Sequence, residues 1–187
     1  MPPTDSPNFF LRPGRTVTRF TFFISSGADV RQQRDLFEQL VRATSEQFRL
    51  RPDPGREFLL DVDRWEQDAP RRTTAMNAEF VRRALESHAT VVLLADEIRK
   101  GTKEEIEAIL ADSRSQLSVI WMQNPDSTRK QRALKAYLRE KEDQIAYHLT
   151  GPAGSPDAMV AMVRVIAASL ADITRSDRRE ELFSEQR

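Results

Sequence analysis

Residues 89–95 of the chain read A-T-V-V-L-L-A, an unbroken apolar run of strand length. A strand that is apolar along its whole length is typical of a parallel sheet covered by helices on both faces. The run leads into D-E-I-R-K-G-T at residues 96–102, and a stretch with helical spacing of apolar residues follows. We therefore predict a strand, a loop at the carboxyl edge of a parallel sheet, and a helix.

The same alternation of strands and helices extends along the rest of the chain. Residues 19–25 (RFTFFIS) are rich in aromatic and β-branched side chains and predict the first strand. The remaining predicted strands are residues 57–65, 117–122 and 144–149, and the predicted helices are near residues 30–48, 76–85, 102–110, 128–138 and 157–173. The last helix is apolar almost all round, so we expect it to be well buried.

Five strands that alternate with five helices imply an α/β fold of three layers. Right-handed crossovers leave few arrangements, and the commonest is the flavodoxin-like order 2-1-3-4-5. The polar alternation of residues 57–65 suits an edge strand. We expect a flexible lead-in at residues 1–16, the α/β domain at residues 17–174, and a charged tail or linker to a further domain at residues 175–187.

The composition excludes several classes of function. Lys plus Arg and Asp plus Glu both number 29, so no overall charge favours nucleic acid or an anionic membrane. The chain has no cysteine, and His88 and His148 lack the close spacing of a metal pair. No secretory segment or long apolar run is present. We expect a cytoplasmic protein that has no metal site and no bound cofactor.

In the order 2-1-3-4-5, ligands bind beyond the carboxyl ends of the first and third strands, where the winding reverses. The motif G-T-x-x-E at residues 101–105 follows the third strand directly. Glu105 is therefore the candidate catalytic carboxylate. The candidate binding residues are Ser25, Ser26, Gly27, Trp65, Asp96, Gly101 and Thr102.

Three motifs resemble a known group. F-I-S-S-G-A-D-V-R-Q-Q-R-D at residues 23–35 resembles the opening of a bacterial TIR-like domain that often precedes NTPase or repeat modules. R-W-E-Q-D-A at residues 64–69 and K-G-T-K-E-E-I-E at residues 100–107 resemble later motifs of that domain. The core G-T-x-x-E-I is also similar to the nucleoside deoxyribosyltransferases. The resemblance covers roughly residues 19–149.

The resemblance implies an activity at the bond between a base and its ribose. In the deoxyribosyltransferases the residue that matches Glu105 is the nucleophile at the sugar carbon, and TIR NAD hydrolases use a glutamate near the same place. By this resemblance, the chain binds and cleaves NAD or a related nucleotide in bacterial immune signalling. Nucleoside base exchange is an alternative. A downstream effector or NTPase domain is an implied partner.

The residue types suit that chemistry. A carboxylate can stabilise or attack the oxocarbenium-like centre that forms when an N-glycosidic bond breaks. We expect Glu105 in the first turn of its helix, where the helix dipole favours the ionised form. Thr102 could bind a ribose hydroxyl or phosphate, and Asp96 could accept from ribose. Trp65 could stack on a base, while the nearby Arg71 and Arg72 pair with phosphate.

Each of these residues also has a structural explanation. Thr102 and Glu105 could be a capping box at a helix start. For Asp29 we favour a helix cap, completed by Gln32, over a phosphate site. Trp65 could pack on an edge strand. If Glu105 is structural, the chain could be a non-catalytic signalling module that self-associates through its outer helices, which its zero net charge permits.

Overall fold

The computed structural model describes residues 16–50, 56–64, 74–112, 115–124, 129–145 and 147–184. The strands are β1 (Thr16–Ser26), β2 (Arg56–Asp63), β3 (Ala89–Leu94), β4 (Gln116–Met122) and β5 (Tyr147–Thr150). The helices are α1 (Arg31–Leu50), α2 (Thr74–Glu86), α3 (Lys100–Asp112), α4 (Arg129–Glu140) and α5 (Pro156–Ser184).

The five strands form one parallel sheet in the order β2-β1-β3-β4-β5. This confirms the predicted flavodoxin-like topology, with the reversal of winding between β1 and β3. Strand β3 lies at the centre of the sheet, and all six of its residues are buried. Strand β2 lies at one edge, as its polar alternation predicted.

Alternate side chains of the strands face two different helical layers, because successive residues of a strand point to opposite faces. Phe22 and Ile24 of β1 pack in a core that also contains Phe37 of α1 and Val165 of α5. Phe23, between them in sequence, packs on the other face with residues of α2 and α3. Helices α1 and α5 therefore cover one face of the sheet, and α2, α3 and α4 cover the other.

Strand β1 has different neighbours along its length. Its residues 16–23 pair with β2, whereas only residues 22–26 pair with β3. His88, the residue before β3, marks the point where the strands separate. Its amide donates to Thr21 O at 3.0 Å, and the Thr21 amide donates to His88 Nδ1 at 3.2 Å. Burial lowers the pKa of His88, and the neutral ring that this favours can accept the second bond.

Several elements differ from their predicted bounds, and strand β1, for example, begins at Thr16 rather than at residue 19. Strand β5 begins at Tyr147 rather than at residue 144, because residues 141–144 form a turn after α4. Helix α5 continues to Ser184, and it is not buried all round as its apolar sequence predicted. Met159, Val160 and Val163 are largely exposed, because α5 contacts the sheet and α1 on one side only.

Some sequence predictions lie outside the described residues. These are most of the lead-in at residues 1–16, Trp65, Arg71 and Arg72, and the start of the fourth helix near residue 128. Over the part of the chain that the structure describes, none of the helices combines the length and the apolar character needed to cross a membrane.

Candidate active site

The carboxyl ends of β1 and β3 lie at the same level, because Ser26 pairs with Leu93 in the parallel register. The loops after the two strands approach each other. A Cβ atom built on Gly27 would lie 3.6 Å from Nε of Arg99, the residue before α3. The fold thus brings the first loop next to the start of α3, as the order 2-1-3-4-5 predicted.

Helix α3 begins at Lys100, two residues before the predicted start. The Lys103 amide donates to Arg99 O at 3.0 Å, so Arg99 is the residue at which the helical hydrogen bonds begin. Thr102 and Glu105 therefore lie inside the helix, and the capping-box explanation of this pair is wrong. A capping threonine has to precede the first turn, whereas Thr102 is part of it.

Glu105 faces the sheet. Thr102, Glu105, Ile106 and Ile109 form the buried side of α3, with the spacing of one helical face. The Ser25 hydroxyl of β1 donates a hydrogen bond to Glu105 Oε2. Both side chains are almost fully buried, at 2% exposed for Ser25 and 7% for Glu105. The structure thus joins two of the predicted site residues across the switch point of the sheet.

The carboxyl group of Glu105 is less readily ionised than the sequence predicted. Burial raises its pKa to about 7, and the charge of the neighbouring Glu104 acts in the same direction, while the bond from Ser25 lowers it. The helix dipole was expected to keep the group ionised, but it acts within the first turn, and Glu105 is the sixth residue of α3. Desolvation therefore dominates, and near neutral pH the carboxyl group can exchange a proton.

Asp96 follows β3 as predicted, but its carboxylate is engaged within the protein. Oδ1 accepts from Asn124 Nδ2 at 2.7 Å and from Gln131 Nε2 at 2.9 Å. These bonds join the end of β3 to the end of β4 and to α4. Asp96 thus lies toward β4 rather than toward β1, and a ribose hydroxyl would have to reach its other oxygen.

Gly101 lies against α2. A Cβ atom there would be 3.5 Å from Asn77 Oδ1, which is an ordinary contact. Asn77 in turn donates to Glu104 Oε2 at 3.1 Å. Gly101 is therefore placed at the packing of α2 on α3, and Thr102 is buried at the start of the same helix.

The loop after β1 differs from its predicted form at Asp29. A 3₁₀ turn at Ala28–Val30 precedes α1, with Gly27 at its start and no side-chain cap. The prediction that Asp29 caps α1 with Gln32 is therefore wrong, because Asp29 is already within the turn. A Cβ atom on Gly27 would collide with the carboxylate of Asp29. The Ser26 hydroxyl is buried, with no hydrogen-bond partner among the described residues.

Two cations at the same edge were missed by the sequence analysis. Lys130 Nζ on α4 lies 2.6 Å from Glu97 Oε2, and Arg99 Nε lies 3.5 Å from Glu97 Oε1. The hydrogen bond from Lys130 is the main reason that the pKa of Glu97 is lowered. For Arg99 the only sequence signal was the basic pair R-K before the G-T motif. No sequence signal indicated that Lys130 lies at this edge. These side chains place positive groups beside the loop after β1 and the start of α3.

The described residues contain no cluster of three or more His, Asp or Glu side chains arranged to hold a metal ion. The chemistry available at this edge is that of a buried carboxyl group, a hydroxyl group and two cations. Together the fold and this site define a flavodoxin-like α/β protein with an acidic residue at the switch point of its sheet. The chain matches no model of a known protein family and no curated protein.

Proposed function

We propose that this chain binds NAD or a related nucleotide and cleaves the N-glycosidic bond, with Glu105 as the catalytic carboxylate. The observation that carries the proposal is the hydrogen bond between Ser25 and the buried Glu105 at the switch point. Such a carboxyl group is costly to bury, because its charged form loses its water. Strongly perturbed carboxyl groups of this kind concentrate at functional sites.

The proposed chemistry needs few groups. In NAD the nicotinamide leaves as a neutral base, so its departure requires no general acid. As the bond breaks, positive charge develops at the ribose, and an ionised Glu105 stabilises it or attacks the anomeric carbon. Water then supplies the hydroxyl group of the sugar product. The Ser25 hydroxyl orients the carboxylate, and Arg99 and Lys130, which both pair with Glu97 in the structure, would exchange that partner for the phosphates.

The proposal requires the ionised form of Glu105, so activity should follow its titration. With a pKa of about 7, the ionised fraction and the turnover rate rise about tenfold between pH 6 and pH 8. Activity that is constant over this range would argue against Glu105 as the group that acts.

The direct test is release of nicotinamide from NAD at high protein concentration, with wild type compared with Glu105→Gln. We expect the substitution to lower turnover at least about 100-fold. Glu107→Gln is the matched control, because Glu107 lies on the same helix and bonds to Tyr137 and Lys141 instead of Ser25. Equal turnover in wild type and Glu105→Gln, or none in either, contradicts the proposal.

Two alternative functions can be tested with the same protein preparation. Nucleoside base exchange is tested by supplying a deoxynucleoside and a free base. A non-catalytic signalling module is favoured by the exposed apolar residues of α5. It predicts self-association without thermal stabilisation by NAD or cyclic nucleotides. A role in bacterial defence, and a downstream effector or NTPase partner, belong to the proposal through the resemblance of residues 23–35 and 100–107.

A further inference from the structure

Helix α5 has an apolar face that lies open in the described part of the chain. Met159, Val160 and Val163 are 45%, 44% and 48% exposed, and Ala167 and Ala171 continue the same side of the helix. We call these five residues the α5 face. The opposite side of α5, which includes Met162 and Val165, is buried against the sheet.

The α5 face does not have the composition of a solvent-exposed helix surface. Arg164 is the only charged residue between Asp157 and Asp172 in the sequence. A surface helix normally places charged and polar residues opposite its buried side. Contiguous exposed apolar residues mark a surface that is covered by something else, so the α5 face has the character of an interface.

We propose that the α5 face is the contact between two copies of this chain, with the two α5 helices antiparallel about a two-fold axis. This proposal does not depend on the catalytic one. Small and β-branched residues let the helices approach closely, and the chain's 29 positive and 29 negative groups give no net repulsion between copies.

Charge complementarity selects the antiparallel arrangement. Asp157 and Arg164 are both exposed and lie seven residues apart, on the same side of α5 and about 10 Å apart along its axis. A two-fold axis beside Val160 places Arg164 of each copy at the level of Asp157 of the other. Met159 of one copy then lies within one helical residue, about 1.5 Å, of the level of Val163 of the other. The ion pair between Asp157 and Arg164 therefore forms twice, as two-fold symmetry requires.

The same charges disfavour a membrane surface as the occupant. A helix that lies on an anionic membrane carries lysine and arginine along the polar side of its apolar face. Here one arginine is flanked by Asp157 and Asp172. A second copy provides apolar contacts for the α5 face and opposite charges for Asp157 and Arg164. It therefore fits the α5 face better than a membrane surface does.

The first test is molecular mass as a function of concentration, by sedimentation or light scattering. We expect wild type to change from 21.5 kDa toward twice that mass, and Val160→Asp to remain monomeric. Leu149→Asp is the matched control. Leu149 is 56% exposed, but it lies on β5 with the orientation of Tyr147, toward the other face of the sheet. A wild type that is monomeric at all concentrations, or a Val160→Asp variant that still dimerises, overturns the proposal.

The second test determines the direction of the helices. The chain has no cysteine, so single substitutions report only on their own position. Val160→Cys lies beside the proposed axis and should form an intermolecular disulfide on mild oxidation. Ala167→Cys should not, because the two residues 167 would be about 20 Å apart. Cross-linking at both positions would indicate parallel helices and contradict the arrangement.

The third test uses the charges. Arg164→Asp should weaken the dimer roughly three- to tenfold, and adding Asp157→Arg should restore it. No recovery in the double variant contradicts the proposed pairing. A chain that stays monomeric but floats with vesicles of anionic phospholipid would replace the second copy with a membrane surface and overturn the proposal.

Discussion

The hydrogen bond from Ser25 and the burial of Glu105 act on the same carboxyl group in opposite directions. The bond favours the ionised form, whereas the loss of water favours the neutral form and is the larger effect. A carboxyl group in this position can change its charge near neutral pH. Its titration should therefore be visible in the stability of the fold as well as in catalysis.

Because the pKa of Glu105 is higher in the folded chain than in the unfolded chain, the fold binds its proton more tightly. The stability that this provides is present at acidic pH and is lost as the pH rises from about 4.5 to about 7. We expect the loss to reach about 3 kcal/mol for wild type. Urea unfolding between pH 5 and pH 8 measures it.

Glu105→Gln should remove this part of the pH dependence, since glutamine keeps the shape and cannot titrate. Glu107→Gln, at an exposed position of the same helix, should leave it unchanged. A wild type and a Glu105→Gln variant with parallel stability curves would show that Glu105 does not titrate as described.

At the scale of the element, helix α3 contains Gly101, whose backbone conformation does not require glycine. Gly101 has no positive φ angle, and a Cβ atom there would meet only ordinary contacts with Asn77. We expect Gly101→Ala to stabilise the fold by about 0.5 kcal/mol, because alanine restricts the unfolded chain. Thermal unfolding measures it, with Gly154→Ala, at φ 87°, as the destabilising control.

The same variant separates structure from function. If the bare backbone of Gly101 is needed for a ligand to approach, Gly101→Ala raises stability and lowers NAD turnover. Unchanged turnover would place Gly101 outside the site. It would then be only a residue at the packing of α2 on α3.

The sequence predicted the order and approximate bounds of the strands and helices better than the details of their ends. Strand β3 was evident because burial on both sides demands apolar residues at every position. The predicted cap of α1 and the predicted start of α3 were wrong because a helix start depends on the loop geometry, which places Gly27 before the 3₁₀ turn that leads into α1 and Arg99 before α3. The exposure of the α5 face was missed, since an apolar run does not show which side has a neighbour.

At the scale of the whole molecule, the sheet separates two apolar cores. Ile24 packs with α1 and α5, and Ile106 packs with β3, β4 and α4 on the other side. We expect Ile24→Val and Ile106→Val to cost about 0.5–1.5 kcal/mol each. Their effects should add in the double variant, because the two side chains share no direct contact across the sheet.

Urea denaturation of wild type, the two single variants and the double variant measures the coupling energy between Ile24 and Ile106. We expect a single transition in each, as for other small domains. A coupling energy above about 1 kcal/mol, or two separate transitions, would show that the two layers do not behave as independent packing units within one cooperative fold.

The topology also determined how much of the site was predictable. Strand order put the ends of β1 and β3 together, and so brought Ser25 to Glu105. Strand order did not determine the orientation of individual side chains. The Asp96 carboxylate accepts hydrogen bonds from Asn124 and Gln131 and so lies toward β4 rather than toward β1. Lys130 could not be found, because it reaches this edge from α4, far along the chain.

The unequal pairing of β1 has a consequence for local opening of the backbone. Residues 22–23 pair with a strand on each side, whereas residues 16–20 pair with β2 alone among the described strands and residues 24–26 with β3 alone. Deuterium should therefore enter the amides of a single strand on two timescales, slowly at Phe22 and Phe23 and sooner before Thr21. His88, bonded to both the amide and the carbonyl of Thr21, would mark the boundary. We expect fast deuterium exchange in a His88→Ala variant to extend past Thr21, into the part of β1 that lies further inside the sheet.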